Sequence, residues 1–374
     1  MEVAPLIFYK TTADFNNTGE VLIYKSLLDN LRRHGNVIID DSNHIQPLFL
    51  SRIGVKDEER LHTHTRSSFV SYILQKSICN VLSRKPIYFV TGVGDHKVTG
   101  AKKNLFSFCL LLLCRICGMK VLRIGMSISF HGTAAKWSEW LLSCVIPHYY
   151  VRDTISLQAC HAAGIRKAQL APDMSWAYQI EQNRDAVSQE INRIVFSFRD
   201  YCTSKKEKEP YRSDLIRAIG VMLNMICSNP SVKVLFTYQC NQDLQFMTEL
   251  KAFFPSYQQI EMVPELITLE NANDYYGQSQ IVLSNRLHVL LLSYKYGALP
   301  VGLTDLSGHK KIQGIFRDNG LDSLLIDIHQ GDTSMVDSFQ AITEQRSAYL
   351  EIIKTAEQKN RATLQQIFSN LFPA

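Results

Sequence analysis

Apolar residues recur along this chain in two rhythms. Short runs rich in Val, Ile, Leu and aromatics, too brief for a helix, occupy Leu6–Tyr9, Val37–Asp40, Ile87–Thr91, Lys120–Met126, Tyr149–Arg152 and Gln169–Pro172. A second series covers Ile194–Arg199, Val232–Thr237, Gln259–Val263, Ile281–Ser284, Pro300–Leu303 and Ser323–Ile326. Each run reads as a buried strand. Longer stretches between them, among them Val21–Arg33, Arg66–Ser83, Leu105–Cys117 and Leu215–Cys227, read as helices. This alternation predicts parallel sheets covered by helices, an α/β fold. The polar stretch Gln179–Asn192 interrupts it, and from Met335 to Leu371 helical spacing continues without a strand. The expected organisation is an N-terminal α/β domain over 1–178, a linker over 179–192, a C-terminal α/β domain over 193–334 and helices over 335–374.

Composition narrows the class. At 374 residues, 46% hydrophobic and 20% charged, the chain has material for two or three globular cores. A net charge of +5 permits attraction to anionic substrates or a membrane face. Without finger spacing, an RNP-like aromatic set or a long basic arm, it does not point to nucleic acid. The nine cysteines follow no regular spacing. Cys109, Cys114, Cys144 and Cys227 lie in apolar segments and read as small core hydrophobes, and Cys114–Cys117 lacks the second pair that a zinc site needs. Met1–Pro5 lacks the basic and apolar regions of a signal peptide, and the longest apolar run, Leu105–Cys114, is half a bilayer span. The expected setting is reducing and cytoplasmic. Trp137 and Trp140 flank a short amphipathic helix over Ala134–Cys144, where ordinary packing accounts for both, and Lys205–Pro210 reads as a solvated loop.

In open parallel sheets, ligands bind outside the carboxyl ends of the strands, so the residues just past each strand carry the chemistry. After the first strand, Asn16-Asn17-Thr18-Gly19-Glu20 leads into a helix, a turn whose backbone can approach a ligand closely. Gly92-Val93-Gly94-Asp95 reads as a cleft-lining loop, because the third glycine of a dinucleotide fingerprint is missing. Arg152 ends a strand, followed by Asp153 as N-cap and by Ser156. Arg199 ends the first strand of the second half. Arg286 and His288 follow Ile281–Ser284 at a helix start, whose free N–H groups favour an anion. Three guanidinium groups at three strand ends make a clamp for a ligand bearing phosphate and carboxylate. His309-Lys310-Lys311 adds cations near the next strand end.

Taken in order, these residues resemble the polysaccharide pyruvyl transferases. That family shows an N-x-G-D-E-type turn, resembled by Asn17-Thr18-Gly19-Glu20 with Glu20 where Asp is usual. Its R-D-x-x-S strand end and later P-D step resemble Arg152-Asp153-Thr154-Ile155-Ser156, Gly164-Ile165 and Pro172-Asp173. Its S-x-R strand end is similar to Ser197-Phe198-Arg199, and its R-L-H helix start and following G-x-P-V strand to Arg286-Leu287-His288 and Gly297–Val301. Lys311-Ile312 with Gly314 and Phe316 resembles a further K-V/I…G-F/L segment.

The resemblance implies two Rossmann-like parallel-sheet domains facing a cleft, a GT-B-like arrangement, with the acceptor on the N-terminal side and the donor on the C-terminal side. The implied reaction moves the pyruvyl group of phosphoenolpyruvate onto two hydroxyls of one sugar, giving a cyclic ketal and free phosphate. No metal or separate cofactor is implied. His288 would be the catalytic acid, and Asn17, Glu20, Arg152, Arg199, Arg286 and Lys311 would bind substrate. The partners would be phosphoenolpyruvate and a glycan acceptor, polymeric or lipid-linked, the latter at the inner face of a membrane. The two-domain pattern by itself leaves open a nucleotide-sugar glycosyltransferase and a non-catalytic anion- or glycan-binding protein.

Overall fold

The protein is described by a computed structural model covering residues 4–11, 17–42, 47–83, 85–180, 190–200 and 208–373. Most of the expected linker (181–189), positions 205–207 of the expected loop and Asn16 lie outside the described residues, and Lys208–Pro210 are not loop but open helix Lys208–Ile226. The chain divides into two compact units. Met1–Phe15, Glu20–Tyr178 and Asn360–Ala374 form one; Asn16–Gly19 and Gln179–Lys359 form the other.

The first unit is built on a parallel sheet of β1 (Leu6–Tyr9), β2 (Asn36–Ile39), β3 (Ile87–Thr91), β4 (Gly94–Val98), β5 (Lys120–Phe130), β6 (His148–Val151) and β7 (Gln169–Leu170). Their order is β2-β1-β3-β5-β6-β7, with β4 also paired to β5. The first half of β5 pairs with β3, and Met126–Phe130 pairs with β4. So Gly94-Asp95 opens a strand and is not loop. Gly92 and Gly94 take positive φ values of 97° and 84°, turning the chain back onto the β5 edge, while Asp95, His96 and Lys97 hide the usual apolar signal. Neighbouring side chains on β1 point to opposite faces. Phe8 meets Phe69 and Tyr72 of helix Phe69–Ser83, and Tyr9 meets Tyr24 of helix Thr18–Leu31.

Helices Phe69–Ser83, Lys102–Ile116, Thr133–Cys144 and Thr154–Ala162 share the Phe8 side of the sheet, joined by two continuous apolar clusters. Their surface departs from expectation. Cys109 and Cys144 are exposed, although Cys114 is buried. Trp137 and Trp140 are 52% and 40% exposed, so packing accounts for only part of each, the Trp140 ring lying over Gly164. In helix Lys102–Ile116 apolar residues lie on nearly every side, so no periodic sign marks the stripe that faces outward.

The second unit has β8 (Arg193–Ser197), β9 (Lys233–Phe236), β10 (Ile260–Met262), β11 (Ile281–Ser284), β12 (Leu299–Thr304) and β13 (Leu325–Asp327), ordered β10-β9-β8-β11-β12-β13 and parallel throughout. Central strands buried on both faces read as unbroken apolar runs, as Ile281-Val282-Leu283 does. The chain proceeds from β8 outward through β9 and β10, then returns to the other side of β8 as β11. That reversal opens a crevice at the carboxyl ends of β8 and β11.

Candidate active site

The crevice of the second unit gathers most of the expected residues. Arg199 follows β8 and Arg286 follows β11, and the strands are in register from Ile194 with Ile281 to Ser197 with Ser284. Asn285 ties the two strand ends together: its Oδ1 accepts from Arg199 N (3.0 Å), and its Nδ2 donates to Arg199 O (2.7 Å). The same Nδ2 donates to the Tyr211 hydroxyl at 2.8 Å, and the Tyr211 ring meets His309 edge-on at 5.6 Å. Ser284 Oγ, held by the carbonyl of Ser197, accepts from Arg286 N at 2.9 Å and turns the chain into helix Leu287–Lys295. Arg286 is thereby the helix N-cap, and His288 stands in the first turn.

The third side is the short stretch 17–19. Thr18 is anchored by its amide to Gln239 O (2.9 Å) and by its hydroxyl to Ile267 O (2.6 Å). Gln239 in turn donates to the buried Tyr276 hydroxyl at 2.9 Å. Asn17 forms a bridge with Cys240, and its Oδ1 accepts from Gly19 N (3.1 Å) and lies 3.5 Å from the Arg286 guanidinium. Gly19 is then pressed against His288. A Cβ at Gly19 would lie 2.7 Å from His288 Cβ and 2.8 Å from its Nδ1. Glycine here is a condition for the imidazole to stand where it does.

Electrostatics centre on Asp243, in the first turn of helix Asn241–Phe253 after β9. It forms an ion pair with Arg286. Burial raises the Asp243 pKa, with Arg286 and Arg199 pulling against it. One buried carboxylate therefore faces two guanidinium groups, Asp200 adds a second negative charge that Arg212 pairs, and the helix N–H groups add positive potential. Sequence reasoning missed Asp243 and Asn285. Asn285 directly follows β11, whereas Asp243 lies beyond the end of β9, inside the next helix, where the strand-end rule does not reach.

Lys311 stands in the first turn of helix Lys310–Asp318, whose N-cap His309 is bonded to Thr304 at the end of β12. Glu20, half-buried in the first turn of helix Thr18–Leu31, belongs to the first unit. So does Arg152, whose surroundings differ from those of the other two arginines. Its Nε donates to Ser127 Oγ (2.8 Å), and its guanidinium reaches Asp173 (2.8 Å) and Asp95 (2.9 Å). Asp153 accepts from Ser156 N at 2.7 Å and from Ser127 Oγ at 2.6 Å, and Ser156 Oγ accepts from Ile128 N at 3.0 Å. The R-D-x-x-S stretch and the later Pro172-Asp173 are thus halves of one buried polar network that pins a helix start to β5. The structure brings Asn17, Arg199, Arg286 and His288 together in one unit and holds Arg152 in that network in the other.

A second buried network centres on Glu139. Glu139 accepts from Arg123, Tyr149 (3.0 Å) and Asn104 (2.9 Å), with His96 Nε2 at 3.4 Å. Burial alone would raise its pKa, yet Arg123, then His96 and Tyr149, bring it down to about 2. Among the described residues, Asp305, Asp327 and His329 place possible cation ligands within 4.8 Å of one another, with His329 already shared between Asp214 and Asp305.

Comparison with known families decides what this arrangement belongs to. Residues 17–304 match the polysaccharide pyruvyl transferase family. The chain belongs to that family. The match spans both the Asn17–Gly19 turn and the Arg286–His288 helix start. No curated protein matches the chain in sequence.

Solved structures agree on the fold. The putative UDP-N-acetylglucosamine 2-epimerase from Listeria monocytogenes superposes with a TM-score of 0.60 at 10% identity, covering 99% of this chain and 96% of the other. The Neisseria meningitidis UDP-GlcNAc 2-epimerase bound to UDP-GlcNAc gives 0.56 at 11%, covering 97% and 99%. A trehalose-phosphate synthase from Burkholderia vietnamiensis gives 0.50 at 11%, covering 99% and 98%. This family member therefore has the GT-B fold that the resemblance implied, built on the parallel sheets that the α/β alternation predicted.

Proposed function

We propose that the protein transfers the pyruvyl group of phosphoenolpyruvate onto two hydroxyls of one sugar in a surface polysaccharide or its precursor. The products are a cyclic ketal and inorganic phosphate. The observation that carries the reading is Arg199 and Arg286 at the switch point of the second sheet, beside His288 packed on Gly19. Phosphoenolpyruvate bears a phosphate and a carboxylate on a small frame, and two guanidinium forks with a helix N-terminus match that charge.

The reaction needs a proton at the methylene carbon of the enol phosphate. His288 supplies it, since imidazole is the side chain whose ordinary pKa lies nearest neutrality. Protonation leaves an oxocarbenium-like centre that the first sugar hydroxyl attacks. Loss of phosphate and attack by the second hydroxyl close the ring. The sum is balanced: both hydroxyl protons are accounted for, one by the new methyl group through His288 and one by the departing phosphate. Arg199 and Arg286 hold the donor, Asn17 orients Arg286, and Lys311 and Glu20 complete the substrate contacts. The reading calls for no metal and no nucleotide.

The test is incubation with phosphoenolpyruvate and a panel of sugars, free and lipid-linked. The expected product gains the mass of pyruvate less one water, with one phosphate released per ketal. Release of a nucleoside diphosphate from a nucleotide sugar instead would assign the chain to glycosyl transfer. Donor binding with no turnover across the panel would make it a binding protein.

A further inference from the structure

The three helices Phe69–Ser83, Lys102–Ile116 and Thr133–Cys144 cover one side of the first sheet and present an outer surface unlike that of an ordinary domain. In the middle helix the exposed stripe runs Lys102, Phe106, Cys109, Leu113 and Ile116, at spacings of three and four, so its apolar residues face solvent. Phe106 is 67% and Ile116 73% exposed. Trp137 and Trp140 extend this surface on one side, where Arg115 reaches the Cys144 carbonyl at 3.5 Å. Ile78 extends it on the other, and a Cβ at Gly118 would lie 3.6 Å from the Asn80 amide of the same helix.

The charge around this surface has one sign. From Leu61 to Val151 the sequence holds eleven Lys and Arg against two acids, Asp95 and Glu139. Neither acid offsets the surface, because Asp95 pairs with Arg152, and Glu139 is buried against Arg123. Lys102, Lys103, Arg115 and Lys136 remain exposed at the ends and flank of the apolar stripe. Apolar side chains bordered by cations, with tryptophans at the margin, match the layered chemistry of a lipid interface. A second copy of the chain is a poorer match. A two-fold contact places like patch on like patch, so the lysines would oppose one another.

We propose that this three-helix face docks on an anionic phospholipid bilayer. Lys102, Lys103, Arg115 and Lys136 meet the headgroup phosphates, and Phe106, Leu113, Ile116 and the two tryptophans reach the acyl boundary. The helix lies in the plane of the interface; among the described residues no helix is long and apolar enough to cross a membrane. The inference holds whatever the donor substrate is, and its test uses neither donor nor acceptor.

The full chain is sedimented with phosphatidylcholine vesicles, with and without phosphatidylglycerol, at low and high salt. Binding is expected with phosphatidylglycerol only and should fall as salt rises. Trp176 is buried, so a blue shift of tryptophan emission on binding would report on Trp137 and Trp140. The pairs Phe106→Ser with Ile116→Ser, and Lys102→Glu with Lys103→Glu, should each lower partitioning by about tenfold or more. All four side chains are exposed, so the melting temperature should hold. No binding to phosphatidylglycerol vesicles, or binding that neither pair weakens, overturns the proposal. So does a dimer, detected by light scattering, that Phe106→Ser with Ile116→Ser dissociates while vesicles are ignored.

Discussion

Gly19→Ala tests the site with one methyl group. Gly19 lies in the first turn of helix Thr18–Leu31, where alanine by itself should stabilise by roughly 0.5–1 kcal/mol. The added Cβ would stand 2.7 Å from His288 Cβ, whereas ordinary contact begins near 3.4 Å, so the two must part by about 0.7 Å. Neither atom is the end of a flexible side chain; both ride on backbone at helix starts. Such overpacking costs about 1–3 kcal/mol, leaving a net loss of about 0–2.5 kcal/mol and a melting point lower by up to several degrees. Activity should suffer more. A catalytic group displaced by roughly 1 Å loses on the order of 10²-fold in rate, so kcat for phosphate release should fall about that far with donor affinity little changed. Gly100→Ala, where a Cβ meets nothing within 4 Å, serves as the control. Wild-type kcat in Gly19→Ala would refute both the contact's importance and the role given to His288.

Four further outcomes are expected. His288→Gln keeps a hydrogen-bond donor but cannot protonate carbon, so stopped-assay kinetics should show kcat down by about 10²–10⁴-fold with KM held. Arg199→Lys and Arg286→Lys keep charge but lose the fork, and calorimetry should show phosphoenolpyruvate binding about tenfold weaker in each. Arg152→Met strands Asp173 in a buried site, so chemical denaturation should show a loss of about 3–5 kcal/mol; unchanged stability with lost donor binding would instead place Arg152 on the substrate. Glu139 has its pKa lowered from 4.5 to about 2, so its contribution, about 3 kcal/mol, is present above pH 4.5 and lost as pH falls toward 2. Melts across that range should show the acid loss flattened in Glu139→Gln, though that variant starts lower at neutral pH.

The strands were legible because their signal is local. Ile281–Ser284, Leu6–Tyr9 and Ile87–Thr91 appear where their apolar runs stand, since a strand buried on both faces needs an unbroken run. β4 was not, because Asp95, His96 and Lys97 give it a polar face, and only two left-handed glycines and the free edge of β5 make it a strand. Exposure was equally hidden. Cys109 and Cys144 read as small core hydrophobes and Trp137 as ordinary packing, yet all three are exposed.

Within the site, the strand-end rule led to Arg199, Arg286 and His288 because parallel sheets put ligands at one edge whatever their sequence. It could not tell what each arginine is bonded to within its own unit. Arg152 obeys the same rule, yet Ser127, Asp95 and Asp173 gather round it from three other parts of the chain. By itself, then, the sequence determined what local patterning controls: the alternation of strands and helices, the α/β class, the ordered motifs of the pyruvyl transferase family and the residues at each strand end. Only the tertiary structure decided which of those residues meet, that Gly19 is a seat for His288, that Asp243 stands between two arginines, and that an apolar basic face looks outward. Those facts depend on contacts between segments far apart in sequence, and no periodicity along the chain encodes them.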